Sequence, residues 1–205
     1  MLNLRNSFII AGGLAVALGL SSCATAPKVT RTDASEQIDL SGEWNDTDSQ
    51  LVSADMIKDV LSRPWLDDFT KNKNQKPKVI VGTILNKSYE HINTETFIKD
   101  LERELVNSGR VVFVASKDER GEVRDERKDQ QTGFTESTTV KQFGKELGAD
   151  FMLKGTLNSI MDEIKGKKVV YYQTDLELVD METNAKVWLG QKKIKKFVKR
   201  PGSKF

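Results

Sequence analysis

The chain has 205 residues, 38% apolar and 30% charged, with a formal charge of +2. This composition suits one soluble body with a heavily charged surface and carries no global basic signature for nucleic acid. A single cysteine excludes an intramolecular disulfide, so stability has to come from packing.

The first stretch holds Arg5, an apolar run of about 13 residues from Phe8 to Leu20, and then Ser21, Ser22 and Cys23. A basic start, an apolar run and small residues at a cut point predict a signal peptide over residues 1–22. The run falls short of the roughly 20 residues that a helix needs to cross a bilayer. The tetrad Leu20-Ser21-Ser22-Cys23 resembles the lipobox of bacterial lipoproteins. That resemblance implies that Cys23 is acylated on sulfur and, after cleavage, on its new amino group, which makes it a lipid anchor. Ala24 in second place, with no Asp there, resembles the pattern of default sorting to the outer membrane.

From Cys23 to Asp48 the residues are small, polar or charged and follow neither helical nor strand periodicity, so this stretch is expected to be a flexible tether. A tether of about 26 residues has a typical span of roughly 25–30 Å and a limit of about 90 Å. Trp44 interrupts its polarity and is expected to pack on the edge of the following domain. The domain itself is expected over residues 49–198, with a basic tail over 199–205.

Helical spacing begins after Asp48 or Ser49, either of which can cap it, and places Met56, Ile57, Val60 and Leu61 on one side. Pro64 starts a second short helix with Trp65, Leu66 and Phe69. The run Val79 to Leu85 predicts a strand buried on both faces. Asn93 or Thr94 caps a helix with Phe97, Ile98, Leu101, Leu105 and Val106 on one stripe, and Gly109 stops it. Val111 to Ala115 predicts a second buried strand, which completes a strand, helix, strand unit of the length of a right-handed parallel crossover.

Residues 117–129 carry five basic and six acidic side chains, and read as a loop or a frayed helix. A third helix is expected from Thr138 to Leu147, with Val140, Phe143 and Leu147 inward. Three strand-like runs close the chain, joined by turns around Gly166 and after Asp180. The expected fold is therefore α/β: a single domain with a mixed parallel and antiparallel sheet of about four to five strands flanked by helices.

No catalytic constellation emerges, and no enzyme activity, cofactor or metal is expected. His91 is the only histidine and sits in a polar loop. Metal sites need several ligands brought together, which one His and an acylated Cys do not supply. The carboxylate pairs Asp67 and Asp68, Asp125 and Glu126, and Asp180 and Glu182 lie on helix ends or turns, where they are solvated. The segment from Gly144 to Asp150 lacks phosphate-loop spacing.

The last hairpin is more informative. Alternation sends Val170, Tyr172, Leu176 and Leu178 to one face and Tyr171, Gln173, Asp175 and Glu177 to the other. The second set fits either a partner surface or an ordinary solvated sheet face. No acid follows Glu182, whereas Lys186, Lys192, Lys193, Lys195, Lys196, Lys199, Arg200 and Lys204 do. This basic end is either a solvated terminus or a contact for lipid phosphates or cell-wall carboxylates, and Lys192 and Lys193 join the candidate binding set.

Four phrases carry a family likeness: KVIVGTILNKS from Lys78, NTETFIKDLERELVNSGR from Asn93, LGADFMLKGTL from Leu147 and LELVDMETNAKVWLG from Leu176. With the lipobox and the order of elements, the chain resembles the LpoB type of penicillin-binding protein activator. The resemblance implies a periplasm-facing outer-membrane lipoprotein that docks on a class A penicillin-binding protein and activates it allosterically, monomeric apart from its partner. Well-studied members carry a long proline-rich tether; this one is short and has only Pro27. The shared phrases read as core and turns, so Trp188 is expected to pack rather than bind. A GAD followed by a strand, and a turn followed by V-W-x-G, also occur in TolB-like and curli-type envelope proteins with related α/β domains, which leaves open an accessory lipoprotein of an outer-membrane secretion or assembly complex. Direct contact with peptidoglycan through the basic tail is a third possibility.

Overall fold

The computed structural model describes residues 29–34 and 36–199. The predicted signal peptide, Cys23 and the tail from Arg200 lie outside them. The chain divides into two units, residues 1–36 and 37–205. In the first, the described residues form no helix or strand, and Thr32 bonds the Glu36 carboxylate.

The second unit contains four helices and five strands among the described residues. Helix α1 (Asp46–Leu61) starts earlier than expected, because Asn45 is its cap. The Asn45 side chain accepts from the Asp48 N–H, and the Asp48 carboxylate accepts from the Asn45 N–H, each at 3.0 Å. Asp48 thus closes a capping box from inside the first turn rather than capping the helix itself. Pro64 opens α2 (Pro64–Lys73) as expected, and Asn74 ends it in the left-handed region.

Strand β1 (Lys78–Lys87) is buried on one face only: Val79, Val81 and Ile84 are buried while Leu85 is exposed. An irregularity between Val81 and Ile84 resets its alternation. Helix α3 (Thr94–Asn107) is capped by Asn93 and buries Phe97, Leu101 and Leu105. Val106, assigned to the same stripe, is exposed. Strand β2 shrinks to Val112–Phe113, paired in parallel with Lys78 and Val79.

Residues 119–129 form a helix, α4 (Glu119–Asp129), that buries none of its side chains. The helix expected from Thr138 to Leu147 does not form, and Phe143 and Leu147 are exposed. Gly144 takes a positive φ of 72° there, and Glu146 is drawn onto Arg124 and Arg127 of α4. An exposed ionic contact replaced the apolar face that a helix would have needed.

The long strands β3 (Phe151–Ile164), β4 (Lys167–Asp180) and β5 (Lys186–Lys199) make an antiparallel meander. Lys165 and Gly166 turn the first hairpin with φ of 29° and 77°, the positive pair that a two-residue hairpin needs to match strand twist. β3 also runs parallel to β1, giving one mixed sheet in the order β2-β1-β3-β4-β5. Helices α1 and α3 pack together and against the sheet. Residues of α1, α2, α3, β1, β3, β4 and β5 meet there in one apolar core. A smaller cluster of Leu157, Val170 and Tyr172 is closed by Trp44, whose ring meets Tyr172 edge-on at 5.5 Å. Trp44 therefore packs on the domain, as expected, and the stretch before α1 is held in place by it.

Candidate docking face

β4 has a neighbour on both sides, so its side chains are sorted strictly. Val170, Tyr172, Thr174, Leu176 and Leu178 are buried, and Tyr171, Gln173, Asp175 and Glu177 alternate with them on the opposite face. The register extends that face sideways. Asn158 and Lys193 flank Gln173, Thr156 and Gln191 flank Asp175, and Lys154 and Leu189 flank Glu177.

These polar groups hold one another. The Tyr171 hydroxyl donates to the Gln173 side-chain carbonyl at 3.2 Å, and the Gln173 amide donates to the two Asp175 oxygens at 3.0 and 2.9 Å. Asp175 accepts again from Gln191 at 2.7 Å and from Asn158 at 3.4 Å. Glu177 lies between Lys186 at 2.5 Å and Lys154 at 3.3 Å. The hydrogen bond from Lys186 is the largest influence and, with that from Lys154, holds the Glu177 carboxyl below its ordinary range against the opposing effect of burial.

Between Leu85, Lys154, Asp175, Glu177 and Leu189 the surface sinks into a depression of about 770 Å³. Ile160 and Leu189 border the polar array and are 67% and 68% exposed. Pre-ordered donors and acceptors beside exposed apolar groups suit recognition by a protein, because little side-chain freedom is lost on contact.

The structure thus brings five of the six predicted binding residues together: Tyr171, Gln173, Asp175, Glu177 and Lys193. Lys192 is separated from them. It pairs with Thr174 across the strands, on the helix side of the sheet, and its ammonium meets Asp55 of α1. Sequence reasoning missed Lys154, Lys186, Ile160 and Leu189; the alternation that singled out β4 also runs through β3 and β5 and, followed there, finds Lys154, Ile160 and Leu189, whereas Lys186 is out of phase with it and is brought to Glu177 by the irregularity at Leu178 and Val179. Trp188 is buried and donates to Asp59 at 2.8 Å, as befits a packing residue. His91 lies exposed in the loop before α3, and Asp180 accepts three hydrogen bonds that close the turn after β4. Among the described residues no group of three His, Cys, Asp or Glu side chains could hold a metal, and no helix is long and apolar enough to cross a membrane.

The sequence profile of the family described as peptidoglycan-synthase activator LpoB matches residues 48–194, from the first turn of α1 into β5. The chain belongs to the LpoB family. It is similar to the C-terminal domain of LpoB from Salmonella enterica, at 13% identity and a TM-score of 0.40, covering 72% of this chain and 98% of that one. The corresponding Escherichia coli domain gives 13% identity and a TM-score of 0.41 over the same shares. Lipoprotein GNA1162 from Neisseria meningitidis gives 15% identity and a TM-score of 0.37, covering 62% of this chain and 88% of that one. No curated protein sequence matches the chain. Membership of the LpoB family places the chain among activators of peptidoglycan synthases, a regulatory and not a catalytic family.

Proposed function

We propose that this LpoB-family chain is an outer-membrane lipoprotein, anchored through an acylated Cys23 and facing the periplasm, that binds a class A penicillin-binding protein and activates it. The observation that carries the reading is the family match across residues 48–194, within which β3, β4 and β5 present an ordered polar face. Tyr171, Gln173, Asp175, Glu177 and Lys193 are the proposed contact set.

Activation follows from differential binding. The activator performs no chemistry; it has to bind the synthase's active conformation more tightly than its resting one. Converting a synthase from almost wholly resting to almost wholly active requires a preference of about 10⁴-fold. A pre-ordered face serves this end, since binding free energy is not consumed in ordering the activator's own side chains.

The reach of the anchor constrains the partner. From Cys23 to Gln37, where the second unit begins, the chain can extend to about 50 Å at most. The synthase must present its docking site within that distance of the outer membrane plus the length of the domain. Isolation of the acylated protein from solubilised envelopes tests the reading by what copurifies. A class A synthase is expected; its repeated absence, or recovery of a secretion channel in its place, would overturn the proposal.

A further inference from the structure

The far end of the meander runs on past the last pairing with β1. The last pairing of β1 is between Lys87 and Asn158, and β3 continues alone with β4 and β5 to Ile164. On the face it shares with Tyr171, this tip carries Ile160, Ile164 and Phe197, exposed at 67%, 70% and 63%. Lys167, Lys195 and Lys199 lie beside them on the same face, and Lys165 is in the turn. Among the described residues none of these four ammonium groups has an ion-pair partner. The one acid on that face of the tip is Asp162, in register with Val169 and Phe197.

The opposite face of the same tip is where the chain enters the unit. Gly42 sits so close to Val198 that a Cβ on it would lie 2.3 Å from the Val198 methyl. Lys196 donates to the Glu43 carbonyl at 2.9 Å and to Asp39 at 2.9 Å. The entry of the chain and the uncovered apolar and cationic surface therefore occupy one end of the domain.

We infer that the tip formed by Ile160, Ile164 and Phe197 with Lys165, Lys167, Lys195 and Lys199 docks on a phospholipid surface bearing anionic headgroups. The inference rests on the acylation of Cys23. Apolar side chains among cations suit the boundary between headgroups and acyl chains, where the former leave water and the latter meet phosphate. Separately, each contribution is weak. The anchor supplies the missing factor: the chain from Cys23 to Gln37 can extend to about 50 Å at most, which keeps the tip at high local concentration near the bilayer. A docked tip would fix the orientation of the domain, leaving the polar array at Gln173 and Asp175 beside the membrane instead of tumbling at the end of a tether.

The test uses the acylated full chain carrying Ile164→Cys, labelled with an environment-sensitive fluorophore and reconstituted into vesicles of phosphatidylethanolamine and phosphatidylglycerol with spin-labelled lipid. A parallel protein carries the label through Val123→Cys on α4. The intact mass of each protein reports acylation independently. The label at 164 is expected to be quenched about threefold more than that at 123, with the difference falling in high salt and in the K165E/K167E/K199E variant. Equal quenching at the two positions in a correctly acylated protein overturns the docking alone. Unchanged quenching in the charge-reversed variant also overturns it, since the tether would then account for the proximity. Shielding that develops only on addition of a purified synthase would show that a protein covers the tip, and overturns the lipid assignment. A mass without acyl chains removes the anchor and the docking that depends on it.

Discussion

The ammonium of Lys196, near the end of β5, lies 2.5 Å from the carboxylate of Asp48 in the first turn of α1, with the two side chains only 12% and 7% exposed. Burial pushes the Lys196 amine down, but its hydrogen bonds to Asp48 and Asp39 more than offset this and leave it above the ordinary 10.5. The pair therefore fastens the helix start to the last strand. Lys196→Met strands a buried carboxylate, and the expected cost is about 2–4 kcal/mol, read as a lower urea midpoint at unchanged slope. Because the folded-state pKa is raised, the contribution is full below pH 10.5 and is lost as the pH rises through the folded value.

Trp188 and Gly190 form a second tight relationship. A Cβ on Gly190 would lie 2.0 Å from the Trp188 ring, so the glycine is what allows the indole to fold against the strand that bears it. Gly190→Ala must displace the ring and with it the 2.8 Å bond to Asp59. The expected loss is about 2–4 kcal/mol from overpacking and a broken bond, whereas Trp188→Phe should cost about 1–3 kcal/mol. Thermal melts of the two variants should keep that order.

Acid should release α4 before the rest of the domain unfolds. Hydrogen bonding from Lys99, and then from the Ser116 backbone, holds the Glu119 carboxyl at about 2, and hydrogen bonds from Arg124 and then Arg127 hold Glu146 at about 2, against an ordinary 4.5. Both folded-state values are depressed, so their contribution is present above pH 4.5 and disappears as the pH falls toward 2. Helix α4 buries no side chain and has little else to hold it. Amide hydrogen exchange followed from pH 5 downward should show loss of protection in residues 119–129 while β3 and β4 remain protected.

Truncation tests how much of the stretch before α1 belongs to the fold. A chain beginning at Gln37 retains Trp44, its edge-on contacts with Phe97 at 6.2 Å and Tyr172 at 5.5 Å, and the Asn45 cap. One beginning at Asp48 loses all of these, together with the bond from Lys196 to Asp39. The shorter chain should be less stable by about 3–5 kcal/mol, and Trp44→Ala in the longer one should account for about half of that.

Much of this was legible in the residues. Long alternation in β4 located both the core and the polar face, and Pro64, Asn93 and Gly109 marked helix ends by mechanisms that act locally. Several of the failures come from partners distant in sequence. Gly42 and Glu43 read as tether because the strand residues that hold them, Tyr172 and Lys196, come more than a hundred residues later, whereas the capping box of Asn45 and Asp48 is a local pattern that sequence reasoning passed over. The apolar spacing of Val140, Phe143 and Leu147 suggested a helix, but Glu146 found Arg124 and Arg127 instead. Lys192 and Lys193 look equivalent in a basic run, yet the pleat sends one toward α1 and the other to the open face.

That separation yields the sharpest test of the proposed function. Asp175→Lys places an unmatched cation at the centre of the polar array, where Gln173, Gln191 and Asn158 now converge on a carboxylate. Lys192→Glu reverses a charge of similar exposure next door in the strands but behind the sheet, against Asp55. If the open face binds the synthase, the first change should weaken binding by about 2–3 kcal/mol, roughly 30- to 150-fold in Kd, with the melting temperature little altered. The second should change Kd by less than about threefold while costing some stability through repulsion from Asp55. Calorimetric titration of a purified class A synthase with both variants distinguishes the two faces, and equal losses would remove the open face from the interface.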